Sequence, residues 1–396
     1  MMNLKKSFND CLAFASNKNC ILRLDLNLPI VDGQFSDFTR LEKVIPTLNS
    51  LIEENGKIII VSHAGRPKGF DNKNLSLKPF QNIFEKKLDT KVHFCNEDIF
   101  DRKIERFIKK LKPKEVCILE NIRFYHQEEQ NDQTFAKRIA SFGDIYINDS
   151  FSVSHREHAS ISGIGKFLPC FPGKLLEEEV KNMSKVFASL QSNATAILGG
   201  SKISTKIGLI ENLTKKFEKI LIGGAMSNTL IQSLGYEIGK SLTENSFLKQ
   251  SKEIITNFRN KIVIPDDVIC VSSLDSDDGI TRDIKSISKN DIIVDIGPKT
   301  RKRFYNEVIN SEIILWNGPL GMFEKKPFDN GTNYVASAIK FKNKKKFFSV
   351  AGGGDTISAL KNSDFYDEFS YVSTGGGAFL EFIEGKKLPG IEILNN

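Results

Sequence analysis

Short runs of β-branched and aliphatic residues alternate with longer stretches whose apolar residues recur every three or four positions, from one end of the chain to the other. Ile21-Leu22-Arg23-Leu24-Asp25-Leu26 has the period of two that marks a strand. Asp37 is placed to cap a helix whose apolar stripe is Leu41, Val44, Ile45, Leu48, Leu51 and Ile52. Pro46 inside that stripe predicts a kink or a late helix start, Gly56 ends it, and Lys57–Val61 (KIIIV) reads as a buried strand. The same rhythm returns at Val116–Leu119, Ile145–Ile147, Thr195–Leu198, Lys219–Ile222, Ile262–Ile264, Ile292–Asp295, Ile313–Trp316 and Phe347–Val350.

Repeated strand–helix–strand units require parallel pairing with right-handed crossovers, so the fold class is α/β with helices covering parallel sheets. The strands are too many for one open sheet. They predict two doubly wound, Rossmann-like domains joined by a helix, with a cleft between them. The expected divide is Phe171–Ser192: Pro172-Gly173 punctuates the chain, and an amphipathic helix follows (Leu175, Leu176, Val180, Met183, Val186, Leu190). Gln191-Ser192-Asn193 closes it, which gives an N-terminal domain over 1–170, a linking helix over 171–192 and a C-terminal domain over 193–384.

A length of 396 residues agrees with two domains. Lys+Arg 56 against Asp+Glu 49 leaves a net charge of +7, a mild excess that suits small polyanions and does not mark a dedicated nucleic-acid binder. No run approaches the roughly 20 apolar residues that span a bilayer, so neither a membrane nor nucleic acid is an expected partner. Lys5 and Lys6 before Cys11–Ala15 loosely imitate an export signal, but Ser7, Asn9 and Asp10 interrupt it, and the segment reads as mature sequence of a cytoplasmic protein. The six cysteines contain no CxxC pair, which agrees with a reducing compartment and argues against structural zinc. The Lys342–Lys346 cluster reads as a solvated turn.

In α/β sheets ligands bind beyond the carboxyl ends of strands. In the first half, those ends carry Arg23, Asp25 and Asn27 at period two, Arg40 in the first helix turn, Ser62-His63-Ala64-Gly65-Arg66-Pro67, Glu120-Asn121-Ile122-Arg123, and Asn148, Asp149, Ser154, His155, Arg156 and His158. A lone arginine there is ordinarily solvated. Several together, able to fork onto carboxylate or phosphate, imply a small substrate with more than one negative charge. His155 and His158 lack the surroundings of a metal site.

The second half places glycines at its strand ends: Gly199-Gly200-Ser201-Lys202, Gly223-Gly224, Gly352-Gly353-Gly354-Asp355-Thr356 and Ser373-Thr374-Gly375-Gly376-Gly377. Such loops let backbone N–H groups approach phosphate, so a nucleotide is the expected occupant, with Asp355 placed to meet Mg2+. Gly235–Ser241 is one residue short of a Walker A loop, and neither GxGxxG nor GxSxG occurs in its proper setting. A nicotinamide-dependent dehydrogenase and a basic RNA-binding protein remain as alternatives on these features.

Taken together, the strings resemble the phosphoglycerate kinase family: Leu22–Pro29 (LRLDLNLP), Ser62–Gly69 (SHAGRPKG), Glu120–Phe124 (ENIRF), Asn148–Ser160 (NDSFSVSHREHAS), Ala196–Ile207 (AILGGSKISTKI), Asp295–Thr300 (DIGPKT), Trp316–Thr332 (WNGPLGMFEKKPFDNGT), Gly352–Thr356 (GGGDT) and Ser373–Ala378 (STGGGA), in the family's order. The resemblance implies a monomeric glycolytic enzyme that moves a phosphoryl group between 1,3-bisphosphoglycerate and ADP after a hinge closes. It implies that Asp25, Asn27, Arg40, His63, Arg66, Arg123 and Arg156 hold the triose. It also implies that Gly200, Lys202, Lys206, Gly224, Asn317, Glu324, Gly353, Gly354, Asp355 and Thr356 serve the nucleotide. Within these sets Arg40, Lys202, Gly353 and Gly354 would act in the transfer, Glu324 would meet the ribose and Asp355 Mg2+. A C-terminal segment, 385–396, would return to the N-domain. Ser150, Ser152-Val153, Ser201, Thr205 and Ala225 depart from the family pattern.

Overall fold

Lys57–Val61 is buried along nearly its whole length, as a strand covered on both faces must be. It belongs to a six-stranded parallel sheet, made of β1 (Asn19–Arg23), β2 (Lys57–Val61), β3 (Val92–Cys95), β4 (Val116–Leu119), β5 (Ile145–Asn148) and β6 (Cys170–Pro172) in the order β3-β4-β2-β1-β5-β6. The order reverses at β1, which leaves the carboxyl ends of β1, β2, β4 and β5 around one crevice. The computed structural model describes residues 4–31, 34–67, 69, 73–188, 193–342 and 347–395. Lys68, Leu190, Gln191, Ser192 and residues 343–346 of the lysine cluster lie outside them.

A second six-stranded parallel sheet contains β7 (Ala194–Leu198), β8 (Lys219–Ile222), β9 (Ile262–Val263), β13 (Ile313–Asn317), β14 (Phe348–Gly352) and β15 (Tyr371–Ser373), in the order β9-β8-β7-β13-β14-β15. Its switch point lies between β7 and β13. The two parallel-sheet α/β domains agree with the expected fold class. Between β9 and β13 the chain departs from it: β10 (Asp267–Val271), β11 (Ile280–Asp283) and β12 (Ile292–Ile296) form an antiparallel sheet in the order β11-β10-β12. The connection 272–279 holds no helix and joins β10 to β11 as a hairpin. The connection 284–291, also without a helix, carries the chain past β10 to its other edge, so β11 and β12 run the same way and each pairs antiparallel with β10 between them.

The chain divides into two compact units, one of residues 4–181 with 387–395 and the other of residues 182–386. The boundary at Asn182 falls inside helix Lys174–Ala188. Each unit has its own core, with Leu22, Ile58, Ile60, Phe80 and Ile118 in the first and Ile197, Leu221, Phe304, Trp316 and Val335 in the second. Helix Thr39–Glu53 begins ahead of Pro46 and runs through it. The late start is not found, because the proline ring lies on the exposed face, where the missing N–H costs least. The N-cap position is Phe38 and not the expected Asp37, which lies one residue earlier and accepts from the Thr39 N–H at 2.8 Å. No helix among the described residues is long and apolar enough to cross a membrane.

Candidate active site

In the first unit the crevice residues form one hydrogen-bonded net. Asp25 Oδ2 accepts from Arg40 Nη1 at 3.0 Å and from the Ser152 hydroxyl, while its Oδ1 accepts from the Asn27 N–H at 3.1 Å. Arg40 also donates to the Asn27 carbonyl at 3.2 Å. Asn27 Oδ1 takes the Gly65 N–H at 2.8 Å, and the Gly65 carbonyl takes Arg123 Nη1 at 2.9 Å. Loop 62–67 is therefore tied to the ends of both β1 and β4.

The net leaves hydrogen-bonding capacity on its arginines unfilled, although Glu129 Oε1 lies 3.6 Å from Arg123 Nε. Arg123 Nη2 and Arg156 Nε are buried without a hydrogen-bond partner. Burial, with Arg156 and Arg23 adding repulsion, pushes the Arg123 guanidinium down to about 10. His63 is buried among the same groups: desolvation first, then Arg23, Arg123, Arg156 and His158, hold its imidazole well below the usual range. Desolvation and the same arginines take His158 to about 3. Buried guanidinium nitrogens with no acceptor are the donors that an incoming carboxylate or phosphate satisfies.

In the second unit two adjoining cavities, of about 490 and 360 Å3, share Gly200, Ser201 and Asp355. The smaller is polar: Lys202, Lys206 and Asn317 face the start of helix Gly354–Asn362, whose first N–H groups are the natural partners of an anion. Lys206 Nζ donates to the Gly199 carbonyl at 2.5 Å and the Asn317 carbonyl at 3.1 Å. Burial lowers its ammonium to about 8, against the pull of Asp355. Gly353, at φ +102, turns the chain into the helix, and a Cβ there would meet Asn317 Nδ2 at 2.5 Å. Gly224, at φ +65, lies so near the Gly200 backbone that a Cβ would fall 2.6 Å from its nitrogen. Thr356 Oγ1 accepts from the Gly318 N–H at 2.7 Å and donates to the Gly352 carbonyl at 2.9 Å, fixing two of the loops to each other.

The larger cavity is walled by Leu242, Leu274, Val294 and Met322, with Glu324 on its lining. Its lining is mainly apolar with a few charged groups, the make-up of a small-molecule site. Among the described residues no three His, Cys, Asp or Glu gather into a metal cluster. Mg2+ held through one carboxylate and the oxygens of a polyphosphate would need only a residue such as Asp355, which lines both cavities.

A family model described as phosphoglycerate kinase matches residues 11–386. The chain is 41% identical over 383 residues to phosphoglycerate kinase of Dictyoglomus turgidum, covering 96% of each chain. It is 42% identical over 383 residues to that of Wolbachia pipientis wMel, again over 96% of each. The chain belongs to the phosphoglycerate kinase family. Solved phosphoglycerate kinases agree: the structure from Coxiella burnetii matches with a TM-score of 0.87 at 37% identity over 96% of both chains. That from Pyrococcus horikoshii matches at 0.83 and 30% over 96% of both.

Against the residues expected for a phosphoglycerate kinase, the structure brings Asp25, Asn27, Arg40 and Arg123 into one net, with His63 and Arg156 within electrostatic reach of Arg123. Arg66 stands exposed on loop 62–67, with no hydrogen bond to a described residue. Gly200, Lys202, Lys206, Gly224, Asn317, Glu324, Gly353, Gly354, Asp355 and Thr356 all line one or both cavities. Residues that depart from the family pattern find partners within the chain: Ser150 Oγ donates to Asn148 Oδ1 at 2.7 Å, Ser152 to Asp25, and Thr205 Oγ1 to the Lys202 carbonyl at 3.0 Å. Sequence reasoning missed the apolar wall, whose only signal is that Leu242 and Leu274 are large apolar residues in polar loops left exposed. It also missed Glu128 and Ser160, which lie buried beneath the arginines.

Proposed function

We propose that the protein catalyses reversible, Mg2+-dependent phosphoryl transfer between 1,3-bisphosphoglycerate and ADP, giving 3-phosphoglycerate and ATP. We take it to act as a cytoplasmic monomer without nucleic-acid or membrane partners. The observation that carries the reading is the contrast between the units. One gathers arginines of which single buried nitrogens, Arg123 Nη2 and Arg156 Nε, lack acceptors, and the other joins an apolar slot to a glycine-lined polar cavity at a helix start.

In this reading the triose lies against Asp25, Asn27, Arg40, His63, Arg66, Arg123 and Arg156, where its phosphate and carboxylate supply the missing acceptors. The nucleotide base fills the apolar slot with its ribose at Glu324, and its phosphates run past Gly200, Lys202 and Lys206 toward Gly353 and Gly354. Asp355 would hold Mg2+, which when bound would supply positive charge to the phosphate oxygens. The attacking carboxylate is ionised at neutral pH, so no general base is required. What the chain supplies is alignment and charge: Arg40 from one unit, and Lys202 with the N–H groups of Gly353 and Gly354 from the other, meet the equatorial oxygens of the moving group. With acceptor and donor on separate units, in-line transfer follows a closure about helix Lys174–Ala188, which also excludes water from the acyl phosphate.

The test is a coupled assay of the purified chain with 3-phosphoglycerate, ATP and Mg2+. Turnover that EDTA abolishes and added Mg2+ restores is expected. ATP consumption independent of 3-phosphoglycerate, or reduction of a nicotinamide instead, would sink the assignment.

A further inference from the structure

Arg23 is fully buried at the carboxyl end of β1, a place where an unpaired guanidinium would be costly. Its Nε donates to Ser160 Oγ at 2.9 Å, its Nη1 to the Leu24 carbonyl, and its Nη2 lies 3.2 Å from His63 Nδ1. Ser160 is fixed from below: its hydroxyl donates to Glu128 Oε1 at 2.6 Å, its N–H to Glu128 Oε2 at 2.9 Å, and its carbonyl accepts from the Tyr146 hydroxyl at 2.8 Å. Glu128 is wholly buried. Burial raises its carboxyl, and Arg23 is the strongest influence in the other direction. The four residues Glu128, Ser160, Arg23 and His63 thus form one buried chain that ends at the imidazole.

A guanidinium has only donors, so His63 Nδ1 can only accept. An imidazole that accepts at Nδ1 is neutral and carries its proton on Nε2. Burial and the surrounding arginines oppose the charged ring as well. Among the described residues Nε2 has no hydrogen bond, so its N–H is the donor left for a ligand.

We propose that Arg23 is a positioning residue for the triose site: it fixes His63 as a neutral Nε2–H donor, and Ser160 and Glu128 hold Arg23 in the place from which it does so. The inference rests on the proposed function for the identity of the ligand, and not for the state of the ring. A neutral donor gives the bound anion a directed hydrogen bond without adding a further like charge beside Arg123 and Arg156, which an imidazolium would do.

The experiment uses the full chain labelled with 15N at its five histidines. The parent is expected to show His63 with an unprotonated Nδ1 and a protonated Nε2. In Arg23→Met that signature is lost, KM for 3-phosphoglycerate rises about tenfold, the scale of one charge-assisted hydrogen bond, and KM for ATP stays as it was. In a His63→Ala background, Arg23→Met adds little further, and Arg23→Lys restores part of the loss in the parent. Should Arg23→Met not fold, Ser160→Ala, which loosens Arg23 without removing its charge, is expected to move the same readings in the same direction by a smaller factor. A His63 that keeps its Nε2 proton in these variants, or effects of Arg23 and His63 that add in full, overturns the inference. A parent chain that shows the tautomer but does not turn over 3-phosphoglycerate instead overturns the proposed function alone.

Discussion

Asp149 accepts a hydrogen bond from the N–H of Leu176, 3.0 Å away, so a buried carboxyl at the end of β5 is seated against the first turn of helix Lys174–Ala188. Its second oxygen is buried without a partner. Burial lifts the group to about 7 from an ordinary 3.8.

A raised carboxyl makes stability depend on pH in a defined direction. Between the two values the folded chain holds a proton that the unfolded chain has released, so the contribution of Asp149 is complete below 3.8 and is lost as the pH climbs through about 7. Asn cannot titrate. The Tm of Asp149→Asn relative to the parent is expected to rise by a few degrees from about pH 5 to about pH 8, at roughly 2–4 °C per kcal/mol. Thermal melts at both ends of that range check it, and a constant difference would assign Asp149 the same charge throughout.

Gly173 lies directly against this carboxyl. A Cβ at 173 would come within 2.3 Å of Asp149 Cγ. Gly173→Ala is expected to cost about 1–3 kcal/mol by overpacking. Denaturant unfolding measures the loss, and adding Asp149→Ala should return part of it, because the clash is then removed.

Lys202 and Arg66 are proposed for different steps and should fail differently. Lys202→Ala is expected to lower kcat by about 10²–10³ with a modest change in KM, the pattern of a charge needed only in the transition state. Arg66→Ala is expected to raise KM for 3-phosphoglycerate about tenfold with KM for ATP preserved. Steady-state kinetics decide each: an unchanged kcat removes Lys202 from the transfer step, and an unchanged KM removes Arg66 from the triose.

Lys206 supplies a pH test of the nucleotide side. Burial brings its ammonium down to about 8, so charge available to a polyphosphate falls as the pH passes that value. KM for ATP is expected to rise between pH 7 and about pH 9.5, and the rise should vanish in Lys206→Arg, which stays charged throughout. A KM flat over this range in the parent would mean that Lys206 does not pair with the phosphates in the ground state.

The glycine loops were legible because each follows directly on an apolar run, so residue type and strand end are read from the same few positions. The arginine cluster was legible for the same reason. What failed was direction and depth. An apolar run says strand without saying which way it pairs, so β12 has the same local pattern as the parallel strands although its partner, β10, runs the opposite way. Arg23 was grouped with Asp25 and Asn27 by period two, but β1 ends at Arg23, and the Asp25 carboxylate turns back onto the Asn27 N–H. The guanidinium descends instead to Ser160, a partner 137 positions away that no local pattern announces. The apolar slot is likewise assembled from Leu242, Leu274 and Met322, on three loops far apart in sequence.

The backbone of Gly390 is bonded twice to the first unit: its N–H donates to the Ser154 carbonyl at 2.9 Å, and its carbonyl accepts from Asn148 Nδ2 at 2.9 Å, with Leu388, Ile391 and Leu394 buried around it. Residues 387–395 leave the ribosome only after the entire intervening unit has been made. During synthesis the first-made lobe therefore waits, with the pocket for these apolar residues open, while the second lobe can close on itself. Nascent chains released before Gly390 should accordingly be cleaved by protease in their earliest-made half and resist it in their later one.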